Sequence, residues 1–177
     1  MTIHTDHPFA LPPGQGDDAR RFRARTGSGV TVWTAGHGER PYDRVGLTVS
    51  SLLTALGDPP HVLALLDPDA GLTGALLAGR TAVVNLLAWR HRHLAEVFAD
   101  RVPAPGGRFR VETWQDSDWG PILSGARAWA GVRLAEEPRQ VGRSLLVDTV
   151  LEHLTLGTDD AALLHVRGRY SPGPDPA

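Results

Sequence analysis

Cysteine is absent from this sequence of 177 residues, and its absence excludes disulfide bonds, thiolate metal sites and a cysteine nucleophile. Long apolar runs are also absent, since none reaches the length that a helix needs to cross a bilayer. Neither sign of charge dominates, because 18 basic residues against 20 acidic ones leave a net charge of −2. The basic face typical of nucleic-acid binding is therefore not indicated. We expect a cytoplasmic protein that binds neither nucleic acid nor a membrane.

The chain is long and apolar enough for one domain. Its apolar fraction of 41% is that of ordinary globular proteins, and its length suits a single core. We expect this domain to span residues 17–170. Residues 1–16 are polar and proline-rich without the pattern of a secretion signal, and we expect a flexible arm there. Residues 171–177 are rich in proline and glycine, and we expect a flexible tail.

Strands dominate the predicted secondary structure. Apolar and β-branched residues predict strands at 30–34, 45–50, 61–66, 81–87, 126–135, 143–156 and 161–166. The strand at residues 61–66 is apolar on both faces, so we expect it to be covered on both sides. Helices are predicted at 17–25, 70–78 and 91–99, the second of them capped by residues 67–69. Because helices and strands do not alternate regularly, the fold class is mainly β, a mostly antiparallel β-barrel of roughly six or seven strands with short helices.

The end of the second predicted strand carries hydroxyl groups. Thr48, Ser50 and Ser51 put three hydroxyls and several backbone N–H groups at the mouth of this strand. Such donors could hold a phosphate or the edge of a planar ring. The alternative is an ordinary turn, in which the hydroxyls satisfy the local backbone.

One polar residue, Asn85, lies inside an apolar strand. A buried amide without partners costs about 1–3 kcal/mol, so Asn85 either bonds a neighbouring turn or strand edge or faces a ligand. No metal site is expected, because His91 and His93 are two residues apart on a predicted helix and point in different directions. None of the serines lies in a nucleophile-elbow pattern, so a hydrolase is not indicated.

Five segments occur in an informative order along the chain: Gly29–Val32, Gly46–Ser51, Asp58–Asp67, Val83–Leu87 and His165–Tyr170. With this order the chain resembles the flavin reductase-like family over roughly residues 19–170. The resemblance implies an FMN-binding split β-barrel. It also implies a homodimer with the flavin near the subunit interface.

The resemblance assigns the candidate site residues. It implies that the flavin lies along Leu47, Thr48, Val49, Ser50 and Ser51. The turn from Asp67 to Thr73 would close over the ribityl phosphate, and Asn85 would face the ring or the ribityl chain. His165, Tyr170 and Arg143 would border the pocket in which a nicotinamide stacks.

The implied activity is that of an NAD(P)H-dependent flavin reductase. Its cofactors would be FMN, with FAD as an alternative, and NADH or NADPH as electron donor. No catalytic acid or base is needed, because the flavin itself carries the hydride chemistry. The reduced flavin could then pass to a separate monooxygenase.

Two departures from the family pattern keep alternatives open. Asp67 and Asp69 stand where relatives carry Ser with a Lys or Arg nearby, and these acids would repel a phosphate. Arg143 stands where many relatives carry an Asp-His pair. A non-catalytic flavin-binding carrier or sensor is therefore the second hypothesis, and an interaction module without a ligand is the third.

Two further groups of residues could border a ligand. Trp114 and Trp119 lie in an irregular segment and are the tryptophans expected nearest a pocket, whereas packing is the default for the others. Four arginines, Arg20, Arg21, Arg23 and Arg25, give the first predicted helix a basic character. A solvated face is the default for them, and contact with a cofactor phosphate from a neighbouring subunit is the alternative.

Overall fold

The computed structural model describes residues 15–38, 43–157 and 160–174. In this part of the chain the α-helices are α1 (Gln15–Thr26), α2 (Gly71–Gly79) and α3 (Arg92–Phe98). Short 3-10 turns lie at Trp89–His91 and Arg108–Arg110. The strands are β1 (Ser28–Gly29), β2 (Thr31–Ala35), β3 (Val45–Val49), β4 (Leu52–Ala55), β5 (His61–Leu66), β6 (Thr81–Leu86), β7 (Trp114–Gln115), β8 (Ile122–Leu123), β9 (Ala128–Leu134), β10 (Arg139–Val141), β11 (Ser144–Leu156), β12 (Leu163–Val166) and β13 (Arg169–Pro172).

The ends of the domain differ slightly from the predicted boundaries. Most of the predicted arm lies outside the described residues, but Gln15 and Gly16 already belong to α1. At the other end, β13 extends to Pro172 because it pairs with β12 as far as Leu163. The predicted tail therefore begins as a strand, and its last residues, 175–177, lie outside the described part.

A curled, mostly antiparallel sheet forms the centre of the molecule. Its strand order is β3-β2-β6-β9-β11-β5-β4. The start of β11 also forms a hairpin with β10. A smaller sheet has the order β1-β12-β13, and β7 pairs with β8. The predicted mainly β, antiparallel fold is confirmed. The predicted number of strands is too low, because the two-residue strands and the hairpin partners carry too little hydrophobic pattern to be recognised.

The main core lies on the concave side of the sheet and is closed by α2. Leu72 and Leu76 of α2 are buried there against Trp33 of β2. Along β5 the side chains of Val62, Ala64 and Leu66 are buried in this core, so the alternate residues face outward. Leu65, on the outward face, is 42% exposed. The prediction that β5 is covered on both sides is therefore wrong for the single chain.

A second core forms around α3. Phe98 is fully buried and packs against Phe109 and Trp114, with ring centroids 5.2 Å and 5.6 Å away. Gly46 lets α3 approach β3, because a Cβ atom there would lie 2.5 Å from the Phe98 ring. Trp114 thus packs against the second core, and Trp119 stacks on His153 while Trp129 is tilted against it. Trp114 and Trp119 were expected to border a pocket, but neither of them lines the main groove described below.

In the described ranges, no helix combines the length and the apolar character needed to cross a bilayer. Among the same residues, no three His, Asp or Glu side chains are gathered in a way that could hold a metal ion.

Candidate functional site

A groove with a volume of ≈1160 Å³ opens where β3 ends. One bank is built by α1 and the hairpin β12–β13, and the other by the outward face of β4, β5 and β11. The apolar wall of the groove consists of Val30, Leu52, Leu53, Leu63, Leu65 and Leu146. Its basic rim consists of Arg20, Arg21, Arg23, Arg101 and Arg167. The groove therefore combines an apolar surface with a concentration of positive charge.

The predicted strand-end residues divide between groove and core. Thr48, Ser50 and Ser51 line the groove. Val49 is only 3% exposed and Leu47 packs against the main core, because alternate residues of β3 face opposite sides. The three hydroxyl-bearing residues therefore lie on the groove side of the strand, while the side chains of Leu47 and Val49 lie on its other face.

Two of the hydroxyls are already bonded within the chain. Thr48 donates to the carbonyl of Ala95 at 2.7 Å, which holds α3 against β3. Ser51 donates to the carbonyl of Leu65 at 2.9 Å and accepts from the N–H of the same residue at 3.1 Å. The third, Ser50, accepts a long bond of 3.5 Å from the guanidinium of Arg23. Ser50 and Arg23 are therefore the polar side chains best disposed to reorient toward a ligand.

His165 and Tyr170 face each other across β12 and β13 and line the groove. Burial, and next the charges of Arg101 and Arg23, lower the pKa of His165. Burial, and next the carboxylate of Glu96, raise the pKa of Tyr170. Both side chains are therefore uncharged at neutral pH. Nε2 of His165 is buried and has no hydrogen-bond partner among the described residues, which leaves it available to a ligand.

Asn85 has a structural role that differs from the expectation. Its side chain is fully buried, and its amide nitrogen donates to the carbonyl of Val32 at 3.1 Å and to the hydroxyl of Thr34 at 3.2 Å. Its carbonyl oxygen accepts from the N–H of Leu123 at 2.8 Å. Both donor hydrogens and the acceptor are satisfied inside the protein, and Asn85 does not line the groove.

The turn from Asp67 to Thr73 also differs from the expectation. Thr73 is buried and donates to the carbonyl of Asp67 at 2.6 Å, while the Asp67 carboxylate accepts from the N–H of Asp69 at 2.9 Å. The N-cap of α2 is Ala70, without a side-chain cap, so the predicted capping by residues 67–69 is wrong. None of these residues lines the groove. Their polar groups close the turn itself.

Arg143 lies apart from the other predicted pocket residues. It is exposed in the tight turn between β10 and β11 and is not part of the groove lining. The sequence reasoning missed Arg101 and Arg167 on the basic rim and the leucines of the apolar wall. Alternation along β5 was the available signal for the wall, because its outward residues are as apolar as its inward ones. The arginines gave no local signal, since they converge only through the tertiary fold.

Comparison with known proteins identifies the family. The flavin reductase like domain matches residues 23–174. The FMN reductase (NADH) RutF of Serratia proteamaculans is 32% identical over 127 residues, which cover 71% of this chain and 70% of that protein. The reductase component of 4-nitrophenol 4-monooxygenase/4-nitrocatechol 2-monooxygenase from Rhodococcus opacus is 31% identical over 157 residues, covering 86% of this chain and 80% of that one.

The solved structures agree with the sequence comparisons. BorF, the flavin reductase component of a bacterial two-component tryptophan halogenase, superposes with a TM-score of 0.78 at 25% identity. The match covers 91% of this chain and 99% of that one. Fold and sequence agree, and this chain belongs to the flavin reductase-like family.

Proposed function

We propose that this chain is an NAD(P)H-dependent flavin reductase and that the flavin ring lies in the groove beside β3. The observation that carries the proposal is the unpartnered, buried Nε2 of His165 inside a groove that has an apolar wall and a basic rim. A buried polar atom without a partner is costly in the free protein, and a ligand with a polar ring edge would satisfy it.

The groove is suited to a flat ring with a charged tail. Its volume of ≈1160 Å³ slightly exceeds the range of about 300–1,000 Å³ for small-ligand sites, so a flat ring and a charged tail both have room. Leu53, Leu63 and Leu65 offer an apolar surface against which the face of a ring can pack. Arg23 lies within 3.5 Å of the Ser50 hydroxyl, so the positive charge is close to the strand end. The groove therefore offers an apolar surface to the ring and positive charge to the phosphate.

The side chains of the groove act by binding and by electrostatics. A bound flavin supplies the acceptor for the hydride of the nicotinamide. His165 and Tyr170 remain uncharged because of their shifted pKa values, so they can hydrogen-bond without repelling a cationic nicotinamide. Arg23 and Arg101 are placed to stabilise negative charge that develops during reduction, as fixed charges do in a partly desolvated site. The leucines exclude water from the reacting atoms.

The flavin, the electron donor and the partner are proposed from the relatives, and the cellular compartment from the composition. FMN with NADH is the pairing that the printed name of the RutF relative gives for that protein, and we propose it here with FAD and NADPH as alternatives. The reductase component from Rhodococcus opacus suggests that reduced flavin passes to a partner monooxygenase. The cysteine-free sequence suits the reducing cytoplasm.

We also propose a homodimer of split barrels in which a second copy covers the outward face of β4 and β5. Leu53 is 70% exposed and lies diagonally across the strand pair from Leu65, which is 42% exposed, and Leu56, just past the end of β4, is 93% exposed. Contiguous exposed leucines mark interaction sites on proteins of this size. His61 and Asp148, whose Nδ1 and Oδ1 atoms are 2.6 Å apart, would lie within the covered surface as a satisfied polar pair.

The test uses the purified full-length chain with FMN and, separately, NADH and NADPH. We expect a flavin absorption spectrum that bleaches when a nicotinamide is added without oxygen, and steady oxidation of the nicotinamide in air. A chain that binds flavin but reduces it with neither donor would contradict the reductase and support the carrier or sensor. A chain that binds no flavin would contradict both.

A further inference from the structure

The groove continues beyond its basic rim into a second cavity. This cavity has a volume of ≈430 Å³ and is lined by Arg21, Ala24, Arg25 and Arg167. Three of these also line the groove, namely Arg21, Ala24 and Arg167, so the two spaces meet at the same residues. The family resemblance assigned no role to Arg167, and a flavin ring in the groove would not fill the second cavity.

We propose that the second cavity binds the diphosphate-linked adenylate of a dinucleotide whose ring occupies the groove. This inference rests on the proposed function, because it takes the ring to lie in the groove. It goes further in naming the ligand as a dinucleotide and the arginines around Arg167 as the site of its diphosphate.

The charge of the second cavity is poorly compensated. Within the described ranges, Arg167 has no carboxylate partner. Arg25 donates to the carbonyl of Arg21 at 3.3 Å, and that bond leaves its charge in place. Arg21 lies 3.6 Å from Asp18, but both side chains are largely exposed and such a pair is weak. A diphosphate would supply the missing negative charge, and the planar guanidinium groups match its oxygen atoms.

The backbone at Arg167 presents the side chain in an unusual way. Arg167 and Gly168 have φ values of 51° and 76° and form the two-residue turn between β12 and β13. Such turns favour Asn, Asp or Gly, and an arginine is disfavoured there. The N–H of Arg167 donates to the carbonyl of Ala24 at 2.7 Å, which fixes the turn against α1. The arginines of both segments therefore line one cavity.

The position of the cavity favours a dinucleotide over a mononucleotide. Inside the groove, Arg23 and Arg101 lie close enough to His165 to lower its pKa, so a single phosphate near the ring already has cationic partners. Arg25 and Arg167 lie in the cavity beyond. A volume of ≈430 Å³ is within the range of about 300–1,000 Å³ for small-ligand sites, so it can take more than one phosphate.

The same adenylate occurs in FAD and in NADH, and the experiment distinguishes the two sources. The variant is Arg167→Gln in the full chain. Arg169→Gln is the matched control, because Arg169 is exposed on the same hairpin and lines neither cavity. Flavin affinity is measured by fluorescence quenching with FAD and with FMN. The KM is measured with NADH and with reduced nicotinamide mononucleotide, which lacks the adenylate.

If the adenylate belongs to FAD, we expect Arg167→Gln to lower the affinity for FAD about tenfold, because one charge-assisted hydrogen bond is lost. The affinity for FMN should change less than about twofold. If the adenylate belongs to NADH, we expect the KM for NADH to rise by a similar factor, and the KM for reduced nicotinamide mononucleotide to stay unchanged. Either result supports the inference if Arg169→Gln leaves all four ligands unaffected. Arg25→Gln, on the opposite wall, should act in the same direction as Arg167→Gln.

Equal effects on the dinucleotide and its mononucleotide, or no effect on any of the four, would overturn the inference. The proposed function would survive that result as long as FMN still binds and is reduced. A wild-type chain that binds no flavin would instead overturn the proposed function and this inference with it.

Discussion

The imidazole of His165 lies against the phenol ring of Tyr170 on the neighbouring strand, with ring centroids 5.5 Å apart and planes inclined by 64°. This edge-to-face arrangement is a favourable one for aromatic rings, and it fixes the direction of the imidazole. Burial holds both groups in their uncharged forms. The pair therefore presents a rigid, neutral surface with one buried nitrogen that has no hydrogen-bond partner in the described part of the chain.

Replacing His165 should weaken flavin binding. We expect His165→Ala to lower FMN affinity about tenfold, because the ligand loses a hydrogen bond in a partly buried site. Titration of the purified variant with FMN, followed by fluorescence quenching, measures the loss. His93→Ala is the control, because His93 is exposed on α3 and does not line the groove. Equal FMN affinity in wild type and His165→Ala would remove His165 from the site.

The outward face of β5 should matter for association and flavin binding together. If the proposed dimer forms through this face, we expect Leu65→Glu to shift it toward monomer and to reduce FMN affinity, since a carboxylate would be buried in the covered surface. Leu77→Glu is matched in exposure, at 40% against 42%, and lies on α2 away from the groove. Sedimentation with and without FMN measures both effects. If the two variants behave alike, the outward face of β5 is not the interface.

Asn85 should contribute to stability and not directly to ligand affinity. We expect Asn85→Ala to lower the free energy of unfolding by about 3 kcal/mol, because it leaves buried partners on β2 and at Leu123 unsatisfied. Denaturant unfolding measures this loss, and FMN titration of the folded variant should give nearly wild-type affinity. A stable variant with strongly reduced FMN affinity would show instead that Asn85 contacts the ligand.

His91 should make the protein less stable in mild acid. Burial, and next the charge of Arg90, lower the pKa of His91 to about 4, and its Nδ1 accepts from the N–H of Ala88 at 3.2 Å. The unfolded chain binds this proton below a pH of about 6.5 and the folded chain only below about 4. The contribution of neutral His91 to the free energy of unfolding is therefore fully present above pH 6.5. It is lost as the pH falls toward 4, by about 3 kcal/mol in total.

Denaturant unfolding at a series of pH values measures the His91 contribution. His91→Gln is the control, because it retains an acceptor and does not titrate. We expect the variant to lose the additional destabilisation between pH 6.5 and pH 4, while the contribution of the carboxylates remains. An unchanged pH dependence in the variant would assign the acid sensitivity to other groups.

Gly46 should tolerate alanine poorly unless Phe98 is reduced in size. We expect Gly46→Ala to cost about 1–3 kcal/mol, the usual range for overpacking, since the new methyl group would lie 2.5 Å from the Phe98 ring. Phe98→Leu in the same chain should make the added methyl group less costly. A double-mutant cycle by thermal unfolding measures this coupling, and simple additivity of the two changes would contradict the close contact.

The sequence was informative where the structural cause is local. The strand at His61–Leu66 and the return strand that begins at Val45 were predicted within a residue, because apolar and β-branched residues mark them directly. The groove was found through Ser50 and Ser51, which lie at the end of that strand. The family pattern added His165 and Tyr170, which line the same groove.

The sequence was uninformative where partners are distant in the chain. The hydrogen-bond partners of Asn85 are 38 to 53 residues away, so nothing nearby reveals that its amide is satisfied. Arg167 meets α1 only through the pairing of β1 with β12, which joins segments at opposite ends of the chain. The sequence predicts Leu65 as a core residue, although it is 42% exposed in the single chain. An apolar side chain looks the same in the sequence whether its own chain or a partner covers it.

The three bonds of Asn85 have a consequence for the order in which the protein assembles. They join β6 to β2 and to the segment at Leu123, and none can form before those segments have come together. Closing such separations in sequence costs chain entropy before any contact is gained, which delays these contacts in folding. We therefore expect the side chain of Asn85 to gain its partners late in folding, once β6, β2 and the segment at Leu123 are in place.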